Sequence, residues 1–314
     1  MVLHADDFGM NRAITAGILR GFRDGLLTST SVLANAPEAG SALSAWNTLL
    51  RDQKAGCLPS GATRQALAEP ALPFDLGVHL NLTQGAPLTG SRFPAELCDE
   101  HGRFGGPARL FRRLWRSAPR LEPALLAELS AQVEVLLEQG LAPTHLNGHQ
   151  YIECLPGLET VVRQLLLKYR IGALRVAVEP GLTGSIRSVG FQPLNWCLAR
   201  VKHTYACRFR RRIQSWGVSQ PQCFFGTSHA GRITLPLLQR FVGQRDASGL
   251  TEIGLHPGQL DSSTNPVPGW EDPLAALRPS ELEMLTGPPL ASWLVGAGVR
   301  LGRLASAWVP MPSS

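Results

Sequence analysis

The chain has 314 residues, 44% of them hydrophobic, enough for a large core and too many for a disordered chain. The formal net charge is +6, with arginine clusters at residues 112–116 and 208–212, but no nucleic-acid motif accompanies them, so solvated faces are expected and a nucleic-acid partner is not. No apolar run reaches a membrane span, no charged leader precedes the first strand, and the six cysteines (57, 98, 154, 197, 207 and 223) have no zinc-finger or C-x-x-C spacing, so a soluble cytoplasmic chain with reduced thiols is expected.

Val2 and Leu3 begin an apolar strand that runs into Asp6, Asp7 and Gly9. Neighbouring strand residues point to opposite faces, so both aspartates can enter one mouth only where the strand ends and the chain turns. Residues 11–24 read as a helix, with Ile14, Ile18, Leu19 and Phe22 at helical spacing and Gly25 as its stop. Residues 26–33 have the Thr, Ser and Val content of a strand, and 38–50 form a second helix. This βαβα order signals a parallel sheet with crossover helices.

Residues 51–73 read as a Gly-, Pro- and Ala-rich loop with a short helix near 63–68, and 76–82 as a strand carrying His79. A long excursion over 83–107 follows; loops of that length in a compact domain are usually functional or disordered. Helix begins again at 110–115, and 123–139 is the clearest helix, ended by Gly140. Residues 144–146 are a strand leading to Asn147, Gly148 and His149, then 157–169 a helix and 174–178 a strand. The least legible part, 180–222, is read as a helix over 193–213 packed outside the sheet. Strands at 223–226 and 250–256, helices at 235–242 and 278–285, a helical turn at 291–296 and a closing strand segment at 299–304 complete the chain. The sum is about seven β/α units in one domain spanning 1–314, with irregular insertions near 51–73 and 180–222.

Four polar sites fall at the carboxyl ends of these strands: Asp6 with Asp7, His79, His149 and His256. In an α/β barrel the active site is built from those ends. An aspartate with two histidines leaves open positions on a divalent ion, and an ion so bound acidifies water. A second carboxylate can take the proton and a histidine can protonate a leaving group. Singly, each histidine is as well explained as a core or loop residue; their convergence on strand ends is the argument. His4 is read as an ordinary strand residue.

These residues resemble the YdjC-like carbohydrate deacetylase family, which includes chitooligosaccharide and hopanoid-associated deacetylases. The matching segments are 5–9 (Ala-Asp-Asp-Phe-Gly) with Asn11, 25–31, 77–83, 145–150, 252–258 and the helix at 278–285. The resemblance implies a distorted (β/α) barrel of the glycoside hydrolase/deacetylase kind and a divalent metal ion, Mg2+ or Zn2+. It implies hydrolysis of an N-acetyl group on an amino sugar, carried by an oligosaccharide or a glycolipid, and it allows a homodimer. By position it makes Asp7, His79 and His149 the metal ligands, Asp6 the base, His256 the acid and Arg175 the residue that orients the base. The family usually carries a run shaped like His-x-Asp-x-His-x-His-x-His; here Asn147 stands for the carboxylate, and Tyr151 and Glu153 for two imidazoles. Those substitutions bear on the residues behind the ligands, and they support the alternative of a catalytically impaired sugar-binding or regulatory homologue. A metal-dependent hydrolase of another sugar bond is the further alternative. Trp46, Trp115, Trp196, Trp216 and Trp270 include candidates for stacking on a sugar, and Phe93 and Phe104 for the cleft wall.

Overall fold

The computed structural model describes every residue except 68–73, 181–192, 245–248, 261–266 and 308–314. Seven strands form one sheet: β1 (Val2–Phe8), β2 (Ser29–Val32), β3 (Asp75–Leu80), β4 (His145–Gly148), β5 (Ala173–Leu174), β6 (Cys223–Phe225) and β7 (Thr251–Leu255). Their order is β5-β4-β3-β2-β1-β7-β6, and every pairing is parallel. The sheet curls into a half-barrel whose edges approach each other. Leu174 N donates to Ser219 O at 2.9 Å, and Phe224 N to Val178 O at 3.1 Å.

Nine helices follow among the described residues: α1 (Arg12–Arg23), α2 (Ala39–Lys54), α3 (Gly61–Leu67), α4 (Gly106–Glu138), α5 (Glu159–Lys168), α6 (Pro193–Ile213), α7 (Leu235–Gly243), α8 (Arg278–Thr286) and α9 (Pro288–Gly296). Asn11 caps α1, its Oδ1 accepting from Ile14 N at 2.8 Å. The two helical stretches expected at 110–115 and 123–139 both form, as the two arms of α4, which meet at a kink where Ser117 leaves helical φ/ψ just before Pro119, whose ring cannot continue the hydrogen-bond ladder. The expected closing strand at 299–304 is absent. Its backbone bonds go elsewhere: Leu301 N to Leu67 O, Gly302 N to Met1 O, and Leu304 N to the Asp75 carboxylate.

The strands alternate with period two, as pleating requires. Leu3, Ala5, Leu76, Val78, Leu80, Leu146, Ile253 and Leu255 join the main apolar core. The other parity is largely polar: His4 and Asp6 on β1, Ser29 and Ser31 on β2, Asp75 and His79 on β3, His145 and Asn147 on β4, and Glu252 on β7, all buried. The barrel bore is therefore lined with hydrogen-bonding groups. His4 Nδ1 contacts Ser29 Oγ at 2.9 Å, and the His4 and His145 rings meet edge to face at 5.1 Å. Two glycines make room for bore side chains: a Cβ at Gly77 would collide with His145, and one at Gly254 would lie 2.6 Å from the Phe224 ring.

Candidate active site

The site begins with the end of β1. Asp7 has φ +68°, the left-handed region that non-glycine residues seldom enter and that Asp tolerates better than most. The pairing register with β2 shifts between Ala5 and Phe8. This turn of the backbone is what brings two adjacent aspartates to one mouth, against the alternation of a regular strand.

Three donor atoms then converge. His149 Nδ1 lies 3.2 Å from Asp7 Oδ1, His79 Nε2 lies 3.6 Å from the same oxygen, and the two ring nitrogens are 3.3 Å apart. Among the described residues this is the one group of His, Cys, Asp and Glu spaced to hold a metal ion. Ligands of a tetrahedral zinc at its usual bond lengths sit about 3.3 Å from each other, so the spacing fits a divalent ion without rearrangement.

Asn147 orients one of those donors. Its Nδ2 donates to Asp6 Oδ1 at 2.9 Å, and its Oδ1 faces His79 Nδ1 at 3.0 Å. A carboxylate only accepts, so Asp6 fixes the orientation of the amide. The amide oxygen then requires a proton on His79 Nδ1 and leaves the Nε2 lone pair facing Asp7 and His149. Burial lowers His79 to about 4, which keeps the ring neutral at ordinary pH. Tyr151 and Glu153 stand apart from the donor cluster. The Lys202 ammonium lies 4.7 Å above the Tyr151 ring. Glu153 is fully buried behind Gly148, and burial pushes its carboxyl up to about 8.

Asp6 is held on several sides. Arg175 Nη1 lies 2.8 and 2.7 Å from its two oxygens, and His4 Nε2 3.2 Å from Oδ1. His4, read from sequence as an ordinary strand residue, is thus part of the site's floor. Burial opposes ionisation of Asp6, but Arg175, His79 and His4 hold its carboxyl well below the usual range. Arg175 also reaches Glu252 Oε1 through Nε at 2.7 Å and Nη2 at 2.6 Å. One buried guanidinium faces two carboxylates, and burial pushes Glu252 up to about 7 despite it. His256 completes this side, with Nε2 3.9 Å from Asp6 Oδ2. Its backbone N–H donates to Glu281 Oε2 at 2.6 Å, and Glu281 Oε1 accepts from Ile233 N.

Asp7 has its own clamp. Arg278 Nη2 donates to Asp7 Oδ2 at 2.7 Å and to Asp272 Oδ1 at 2.9 Å, with Arg278 Nε on Asp272 Oδ2 at 2.8 Å. Burial again opposes ionisation, and Arg278 and His149 hold Asp7 well below the usual range. The clamp occupies Oδ2 and leaves Oδ1 to the histidines.

Above the mouth two loops are joined. Gly85 N donates to Gly269 O at 2.8 Å, Gln84 Nε2 to Glu271 O at 3.2 Å, and Glu271 N to Gln84 Oε1 at 3.3 Å. Trp270 packs where a side chain at Gly85 would stand. Phe93 and Phe104 are buried against each other at 5.1 Å inside the excursion, and Trp46 is buried in the core, so these three are packing residues. Trp115 is exposed, and Trp216 packs on Phe209. The side chain of Trp196 lies outside the described residues.

The sequence reading placed Asp6, Asp7, His79, His149, Arg175 and His256, and all six meet here. It missed Glu252, Arg278, Asp272 and Glu281. Glu252 had a signal, a charge at the same strand parity as His4 and Asp6. The other three act from loop and helix, and only the folded chain pairs them with the mouth.

The sequence profile of the YdjC-like protein family matches residues 1–295. A carbohydrate deacetylase of Mus musculus is 30% identical over 322 residues, covering 96% of this chain and 92% of its own. One of Vibrio cholerae is 24% identical over 302 residues, covering 96% and 93%. In fold, the crystal structure of a candidate cellobiose-phosphate cleavage protein from Enterococcus faecalis V583 matches with TM-score 0.66 at 21% identity, covering 98% of each chain. With that profile across most of its length and a half-barrel of matching fold, the chain belongs to the YdjC-like family.

Proposed function

We propose that this protein is a metal-dependent deacetylase that hydrolyses the N-acetyl group of an amino sugar, carried by an oligosaccharide or a glycolipid. The observation that supports it best is the convergence of Asp7 Oδ1, His79 Nε2 and His149 Nδ1 beside the Asp6–His256 pair. The relatives named carbohydrate deacetylase supply the substrate class. Asp7, His79 and His149 would hold the ion, Mg2+ or Zn2+, which when bound polarises the acetyl carbonyl and acidifies water.

The remaining steps belong to the chain. Asp6 Oδ1 is occupied by Asn147, His4 and Arg175, whereas among the described residues Oδ2 meets Arg175 alone and looks toward His256. Oδ2, the less encumbered oxygen, takes the proton from the attacking water. Arg175 orients that carboxylate, and Glu252 fixes Arg175 from behind. His256, anchored through its backbone by Glu281, delivers a proton to the departing amine. The family-divergent Asn147, Tyr151 and Glu153 leave all three donor atoms in place, which favours a working enzyme over an impaired homologue.

The test is acetate release from N-acetylated amino sugars by metal-loaded protein. Chelator and Asp7→Ala should each abolish it, with loss of ion binding by calorimetry. His256→Ala should lower turnover about 10²–10⁴-fold while ion affinity stays. A shortened sugar without acetate, or acetate release that survives both chelator and Asp7→Ala, would sink the proposal.

A further inference from the structure

The basic charge of this chain is unevenly spread. Residues 180–245 contain ten lysines and arginines and no acid, more than the whole net charge of +6. Residues 101–121 contain six arginines and no acid. The fold brings the α4 and α6 parts of these stretches together, because Phe111 on α4 and Tyr205 on α6 pack edge to face at 5.9 Å. Around that contact the surface is apolar. Trp115 is 71% exposed, and Leu198 and Val201, on successive turns of α6, are 50% and 54% exposed. Arg112 and Arg116, on either side of Trp115 along α4, are exposed and have no acidic partner among the described residues, whereas Arg113 and Arg120 pair with Glu96 and Arg212 with Glu159.

We propose that this α4–α6 face docks the protein on the surface of an anionic phospholipid bilayer. Unpaired arginines beside an exposed Trp, with exposed Leu and Val on the adjoining helix, are the composition of an interfacial face, with the apolar groups entering the headgroup boundary and the cations meeting lipid phosphates. A second copy of the chain is a poor occupant, since two such faces repel. A nucleic acid would use the arginines but not the exposed leucine and valine. Lys202 of the same helix turns inward, its ammonium lying over the Tyr151 ring. This inference does not depend on the chemistry proposed for the site.

The test is sedimentation of the full chain with vesicles of phosphatidylcholine alone and of phosphatidylcholine with phosphatidylglycerol. Binding is expected only to the second, weakening as salt rises. Arg112→Gln and Arg116→Gln should each weaken it about fivefold. Trp115→Ala, which leaves charge unchanged, should weaken it severalfold, with all three variants melting near the parent. Absence of binding, equal binding to both vesicles, or binding indifferent to these substitutions would overturn the proposal. So would DNA-duplex binding by a chain that leaves vesicles unbound, or a stable dimer that buries Trp115.

Discussion

Asn147 shows how one side chain links two functions of the site. It donates to Asp6 and receives from His79, so it fixes the carboxylate's position and leaves the His79 Nε2 lone pair bare. Removing both bonds with Asn147→Ala should lower ion affinity about 10–100-fold, read by calorimetry. Asn147→Asp separates the two roles. It keeps an acceptor for His79, so ion affinity should stay near the parent. It takes the donor from Asp6 and sets a second carboxylate beside it, which raises the proton affinity of Asp6. The acid limb of the activity profile should then move to higher pH. An unchanged limb would show that Asp6 does not carry the proton.

At the scale of elements, the site is a set of strand ends held by helices that come later in the chain. The α8 helix supplies both anchors: Arg278 to Asp7 and Glu281 to the His256 backbone. Asp272 is the buttress of Arg278. Asp272→Asn should loosen the Asp7 carboxylate and lower ion affinity about tenfold with little change in melting temperature; an unaltered dissociation constant would show that Arg278 stands unaided.

What the sequence allowed to be read follows from the same distinction. The strand ends were legible because their polar residues interrupt short apolar runs: His79 after Gly-Val, His256 after Gly-Leu. The α6 helix was found at its true bounds, 193–213. The clamps were not legible, since Arg278 and Asp7 are 271 residues apart. The segment at 299–304 has the alternation of a strand, but it meets a strand-end carboxylate and the chain start instead of a free sheet edge.

For the whole molecule, a polar bore sets the response to pH. Burial pushes Asp75 up to about 6, Glu179 up to about 7 and Glu153 up to about 8. A carboxyl raised on folding binds its proton more tightly in the native state. Its stabilisation is full below the unfolded value and is lost as pH rises through the folded one. Asp6 and Asp7, lowered on folding, act in the opposite sense and lose their contribution as pH falls below the usual carboxylate range. The raised carboxyls therefore lose stability as pH rises from about 4 to 8, Asp75 losing on the order of 3 kcal/mol between about pH 4 and 6. His4 and His79, lowered by burial to about 3 and 4, gain stability as pH rises to about 6.5 and offset part of that loss. Melting temperatures across pH check this. Asp75→Asn should flatten the slope near pH 6, and a parent curve that climbs steadily to pH 8 would contradict it.

The strap formed by Gln84, Gly85, Gly269 and Glu271 has a consequence beyond covering the mouth. Glu271 is followed by Asp272, so the strap is continuous with the buttress of Arg278 and, through it, with Asp7. Linkage between two such sites is reciprocal by thermodynamic necessity, so if Asp7, His79 and His149 hold an ion as proposed, any tightening the strap gives that ion is returned to the strap.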